Sequence, residues 1–149
     1  LSGEDGGELR RLWDGKVISK GVMDAEDAAK AMDVGADAII VSNHGGRQLD
    51  GAPSSIAALP QVVDMVGGRC EVWMDGGIRS GQDVLRALAL GADGTMIGRA
   101  FLYGLAAGGK TGVQQVLQII QKELDLTMAF CGRRALDEVD SDILLPKSG

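Results

Sequence analysis

The amino-acid sequence predicts an α/β fold, the C-terminal half (strands 5 to 8) of a TIM (β/α)8 barrel, and three observations carry that reading. Four short apolar or β-branched segments alternate with four helical patterns, and strands joined through helices pair in parallel, because a right-handed crossover must bring the chain back. Residues with chemistry to offer follow each segment on its C-terminal side, where barrel enzymes build their sites. No GxGxxG follows the first strand, as a dinucleotide-binding sheet would require. A whole barrel takes roughly 250 residues. The 149 residues here hold four β/α units, and they are expected to be one half of a longer polypeptide, the N-terminal half being absent from this chain.

The elements follow in order. A β-branched run at 16–21 is the first strand, and Asp24 then N-caps an alanine-rich helix at 25–34 that stops at Gly35. Residues 38–42 form the second strand. A helical period at 53–66 ends at Gly67-Gly68, and 71–75 is the third strand. Ser80 caps a helix through Leu90, which Gly91 ends. Residues 94–98 are the fourth strand, followed by a short helix at 100–107. Thr111 caps the longest helix, 112–130, whose Val113, Val116, Leu117, Ile120, Leu124 and Met128 fall at helical spacing. Parallel strands covered on both faces read as continuous apolar runs, and these segments are expected to be covered so. Val34-Gly35-Ala36-Asp37-Ala38 and Leu90-Gly91-Ala92-Asp93-Gly94 mark the same helix-to-strand junction twice.

Composition narrows the function classes. The net charge of -6 and the lack of a basic stripe argue against nucleic acid, and 3% aromatic content leaves no platform for stacking bases. No apolar run approaches the roughly 20 residues of a bilayer span, and no basic-then-apolar stretch of the signal-peptide kind is seen in the first residues, so neither is expected of this segment. Cys70 and Cys131 fit neither a CxxC nor a zinc-ligand pattern, and are expected to be packed or free thiols in a reducing compartment.

The chemistry concentrates in three loops. Ser42-Asn43-His44-Gly45-Gly46-Arg47-Gln48-Leu49-Asp50 puts the only histidine of the chain three residues before an arginine. A base beside a carboxylate-binding cation, where a strand opens into a loop, is what an enzyme acting on a small carboxylic acid needs; a purely structural strand-end histidine is the alternative. Asp75-Gly76-Gly77-Ile78-Arg79-Ser80-Gly81 and Ile97-Gly98-Arg99 look like an anion cradle. Glycines admit close approach, amides at a helix start point at the anion, and arginine supplies a bidentate fork. Pairing of Asp75 with Arg79 across the loop is the structural alternative there. Lys20 ends the first strand, where an ammonium inside a barrel calls for an anionic partner unless the side chain snorkels to solvent.

These motifs, SNHGGRQLD at 42–50, DGGIRSG at 75–81, LALGAD at 88–93 and IGRAFLYGLA at 97–106, resemble the FMN-dependent 2-hydroxy acid dehydrogenases and oxidases. The resemblance runs from about Leu9 to Gly132, and segments 13–28 and 99–109 look most like the bacterial L-lactate dehydrogenase branch. It implies FMN as cofactor and an L-2-hydroxy acid, above all L-lactate, as substrate. It also implies His44 as the base, acting on the substrate hydroxyl or the α-carbon, and Arg47 as the carboxylate clamp. Lys20 and Ser42 would attend the flavin ring; Asp75, Gly76, Gly77, Arg79, Gly98 and Arg99 would hold the ribityl chain and phosphate.

Further expectations come with the family: an electron acceptor that is a quinone, a cytochrome or oxygen; a homo-oligomer, with a tetramer as one form; and a cytoplasmic place, or a peripheral one at the inner face of the cell membrane. Two readings compete with the dehydrogenase. One is an oxidase of the glycolate oxidase type, and the other is a flavin- or phosphate-binding half barrel without catalysis, which would have no use for His44 beside Arg47. Family elements absent from this chain include the aspartate that pairs with the base and tyrosines of the substrate pocket. The glycine-rich leader at 1–7 also departs from its apolar counterpart, and is expected to be frayed or locally different.

Overall fold

The computed structural model describes residues 3–145. Its elements are α1 (Gly3–Leu12), β1 (Ile18–Val22), α2 (Ala25–Asp33), β2 (Ala38–Val41), a 3-10 turn at His44–Gly46, α3 (Ser55–Val66), β3 (Glu71–Met74), α4 (Gly81–Ala89), β4 (Gly94–Thr95) and α5 (Arg99–Phe130), then 3-10 turns at Leu136–Glu138 and Ser141–Ile143. The four strands form one sheet in the order β1-β2-β3-β4, every pair parallel. This is the expected run of β/α units. Within the leader, helix α1 forms from Gly3 onward, while Leu1 and Ser2 lie outside the described residues.

The local signals act as their chemistry requires. The Asp24 carboxylate accepts from the Asp27 amide at 2.9 Å, which satisfies one of the amides a helix start leaves open. Helix α3 stops at Gly67, in the left-handed region at φ 55°. Helix α5 is broken at Gly108 and Gly109 (φ 55°, ψ -139°), so the two predicted helices form as two arms, with the break before Thr111, which lies within the second arm and does not cap it. The arms touch glycine to glycine: a Cβ at Gly104 would lie 2.6 Å from the Gly112 carbonyl oxygen.

The two faces of the sheet differ, and here one expectation is corrected. Val22, Ile39, Val41, Val72 and Met74 alternate onto one face and are buried beneath the helices. The other face carries Lys20, Ile40 and Trp73, which the register sets side by side, and Ile18, which is 57% exposed. Helices therefore cover one face only, and β1 and β3 alternate in burial instead of being apolar throughout. In a barrel the inner face is packed by the strands' own side chains, not by helices. Only β2 is buried along its whole length. Both cysteines are free and half-buried, and burial pushes the Cys70 thiol above its ordinary pKa.

Candidate active site

The uncovered face of the sheet leads, at the C-terminal ends of its strands, to a row of three polar groups. Lys20 on β1, Ser42 just after β2 and Asp75 just after β3 meet there through their side chains. The Lys20 Nζ is 2.8 Å from Asp75 Oδ2 and donates to Ser42 Oγ at 2.9 Å. The anionic partner that Lys20 calls for is thus Asp75, which leaves Arg79 outside that pairing. Ser42 is fully buried, and it reaches the site through Lys20 and through the His44 amide, which donates to its Oγ at 3.1 Å.

His44 sits in the left-handed region at φ 55°, the one such non-glycine among the described residues. Sterics disfavour that conformation for a side chain bearing a Cβ, and surrounding bonds must impose it. Its imidazole lies against Gly21, a residue at φ 102° inside the β1 bulge, where a Cβ would come 2.7 Å from His44 Nε2. Gly21 is required there both by its backbone angle and by its neighbour.

Lys20, His44, Arg47, Asp75, Gly76, Gly77, Gly98 and Arg99 line one cavity of about 320 Å³. An adjoining cavity of about 430 Å³ shares Gly76, Gly77 and Arg99 with it and adds Arg79 and Arg86. Residues from all four strand ends therefore converge. Arg99 ties the last loop to the histidine loop by donating to the Gly45 carbonyl at 3.1 Å. No ion pair among the described residues involves Arg47, Arg79 or Arg99, so three guanidinium groups stand ready for an anion.

The helix amides meant for that anion are arranged otherwise than the motif suggests. At the start of α4 the amides of Arg79 and Ser80 donate to Asp83 Oδ2 at 3.1 and 3.2 Å, and the Gly81 amide donates to Glu123 Oε2 at 2.9 Å. A capping box and a carboxylate from α5 occupy them. Helix α5 differs: its N-cap is Gly98, and no side chain caps it. Its open amides and the positive end of its dipole lie beside Arg99, a ready anion site. Gly76 and Gly77, at φ 90° and 84°, bring backbone close on the other side. The donor set fits a phosphate monoester, and the amides left open for one are those of α5, not of α4. Ser80-Gly81-Gln82-Asp83 carries the capping-box spacing, the signal that could have revealed this from the sequence.

Three comparisons bear on this site. The family profile described as FMN-dependent dehydrogenase matches residues 1–146. The L-lactate dehydrogenase of Caulobacter sp. (strain K31) is 56% identical over 136 residues, 91% of this chain and 36% of that protein. That of Pseudomonas aeruginosa (strain UCBPP-PA14) is 48% identical over 141 residues, 95% of this chain and 37% of the relative. A crystal structure of mandelate oxidase with (S)-4-hydroxymandelic acid superposes at a TM-score of 0.90 and 45% identity, covering 93% of this chain and 39% of the other. A mandelate oxidase mutant with the monooxide FMN adduct gives 0.89 at 45% identity, over 93% and 44%. The chain thus spans well under half the length of these relatives, as an α/β fragment of their TIM barrels. No helix among the described residues is long and apolar enough to cross a membrane.

Proposed function

The chain belongs to the FMN-dependent dehydrogenase family, and on that premise we propose that its four β/α units are the C-terminal half of a barrel oxidising an L-2-hydroxy acid, L-lactate foremost, to the 2-oxo acid. The observation that carries this is the convergence of His44, Arg47 and Lys20 with the open amides of α5 around one cavity. FMN, when bound, supplies the two-electron acceptor that the side chains lack. Its phosphate and ribityl chain are held by Arg79, Arg99, Gly98, Gly76 and Gly77, where the donor set fits a dianion. Asp75 fixes Lys20 at the ring, and buried Ser42 orients both Lys20 and the His44 backbone.

Arg47 clamps the substrate carboxylate through its planar fork, which sets the 2-carbon against the imidazole. His44 takes the proton that leaves the substrate, from the hydroxyl oxygen or from the α-carbon. Lys20 places a positive charge where the acceptor gains negative charge, which favours the forward direction. The 56% identity to an L-lactate dehydrogenase supports lactate as substrate and a dehydrogenase, for which the acceptor would be a quinone or cytochrome. The likeness to mandelate oxidase supports the second reading, transfer to oxygen.

Exposed Leu102, Tyr103 and Phe130 on α5 support assembly as a homo-oligomer, with a tetramer as one form. A cytoplasmic protein, peripheral at the inner membrane face where the acceptor is a quinone, completes the reading. The intact protein, purified yellow, is expected to bleach anaerobically on addition of L-lactate and to recover colour with its acceptor. A colourless protein, or a flavin that no 2-hydroxy acid reduces, would refute the reading.

A further inference from the structure

Ser42 and Ser55 are the two buried polar residues among the described ones, and both serve the loop that carries His44. Three successive amides there end on side-chain oxygens. The Asn43 amide donates to Ser55 Oγ at 3.1 Å, the His44 amide to Ser42 Oγ at 3.1 Å, and the Gly45 amide to Asn43 Oδ1 at 3.0 Å. Asn43 belongs to the loop itself, and Ser42 to the strand end. Ser55 alone comes from beyond the loop, as the first residue of α3 and 2% exposed. It contributes nothing to its helix's cap, which Ser54 occupies without a side-chain bond.

The same hydroxyl also meets the neighbouring loop. At Gly76, φ 90°, a Cβ would lie 2.9 Å from Ser55 Oγ and 3.1 Å from Asn43 Oδ1. Gly76 directly follows Asp75, the partner of Lys20. One buried oxygen is therefore the meeting point of the loop bearing the base and the loop bearing the lysine's counter-charge. A left-handed histidine persists only when its surroundings over-determine it, and the half-buried Asn43 amide left without an acceptor would cost free energy.

We propose that Ser55 is a positioning residue, its buried hydroxyl holding the backbone so that His44 keeps its left-handed conformation and its imidazole stays over Gly21. This rests on His44 being the base, as the preceding reading has it. Ser55 stands in the wall of the adjoining cavity of about 430 Å³ but is 2% exposed, and the role proposed for it is to hold backbone, not to contact substrate or cofactor. Its effect passes through His44, and small misplacements of a reacting group carry large rate penalties.

The test uses the intact FMN-loaded protein and two readouts. In the first, hydrogen exchange of a peptide spanning residues 42–47 is followed in the wild type and in Ser55→Ala. Exchange is expected to rise about tenfold or more, with that of α3 unchanged; unchanged exchange at 42–47 overturns the proposal whatever the activity. The second is a double-mutant cycle. Ser55→Ala is expected to lower kcat about tenfold or more, with KM and the flavin spectrum little changed. In a His44→Ala background it should alter the residual rate less than about twofold, because its effect runs through His44. An equal loss in both backgrounds would overturn the proposal and leave Ser55 a general structural residue. Should exchange respond while no 2-hydroxy acid reduces the wild-type flavin, the reading of the activity fails and the loop assignment stands.

Discussion

At the start of the strands, Asp37 and Asp93 lace the sheet in the same way. Each donates its amide to the preceding strand, to the carbonyls of Val17 and Val72 at 2.8 and 2.7 Å, and accepts that residue's amide on its carboxylate, at 2.9 and 2.7 Å. At the ends of the same strands nothing repeats: His44 is left-handed, β1 bulges at Gly21, and the guanidinium groups of Arg47 and Arg79 have no anionic partner among the described ion pairs. One end uses its polar groups to close on each other; the other, beside the Lys20–Asp75 pair, leaves guanidinium groups without an anionic partner among the described residues. In a barrel the first end reads as stability and the second as catalysis, and this division can be broken by substitution.

The largest effect is expected at His44. His44→Ala in the intact protein should retain FMN and its thermal stability while losing about 10²-fold to 10⁴-fold in turnover, since only proton transfer is removed. Near wild-type oxidation by this variant would end the assignment of the base. Arg47→Lys comes next, because an ammonium cannot reproduce the fork. A charge-assisted bond is worth roughly 1.5–3 kcal/mol, so kcat/KM for a 2-hydroxy acid should fall about tenfold to hundredfold. Steady-state kinetics would decide, and an unchanged value would mark Arg47 as structural.

Asp93→Ala is the reverse experiment, at the other end of the sheet. It removes the charged acceptor of the amide of Val72, a buried residue, and should cost about 1–3 kcal/mol, the penalty of a donor left unpaired inside the fold. The urea midpoint should fall with kcat and KM unchanged. A loss of turnover without a loss of stability would show that the two ends are coupled, and that the division is too simple.

How much of this was legible in the sequence follows the range of the interactions. The Asp24 cap, the stops at Gly35, Gly67 and Gly91 and the break near Gly108 are decided within a few residues, and the chain states them directly. The twin Val-Gly-Ala-Asp and Leu-Gly-Ala-Asp phrases marked the laced junctions because one local geometry recurs. Lys20 was legible by cost: a cation inside a barrel needs an anion, although only tertiary structure could choose Asp75 over a bound group. The uncovered sheet face was misjudged because an apolar run does not say what covers it. Ser55 could not be found, since a serine near a helix start reads as a cap, and its work for His44 depends on a contact across the fold. The occupied amides of α4 divide into a part that was readable, the Ser80-Asp83 spacing, and a part that was not, Glu123 arriving from 42 residues away.

The smallest expected effect concerns charge alone, and it separates the lacing from its electrostatics. The hydrogen bond from Lys16 at 2.8 Å and the bond from the Val17 amide hold the Asp37 carboxyl below its ordinary pKa, with the nearby charges of Lys16 and Arg10 adding to them and burial opposing. A carboxyl whose pKa is lower folded than unfolded binds fewer protons in the native state. Its contribution to stability is complete above the unfolded value, near pH 4, and drains away as the pH falls through the folded value. Asp37→Asn keeps an acceptor for the Val17 amide and discards the charge. The variant should therefore be slightly less stable than the wild type at neutral pH and converge with it in acid, with no change in activity. Urea midpoints measured from pH 7 down to pH 3 would show the two curves closing. Curves that stay parallel would mean that the amide bond alone laces this end, and that the charges of Lys16 and Arg10 add nothing to it.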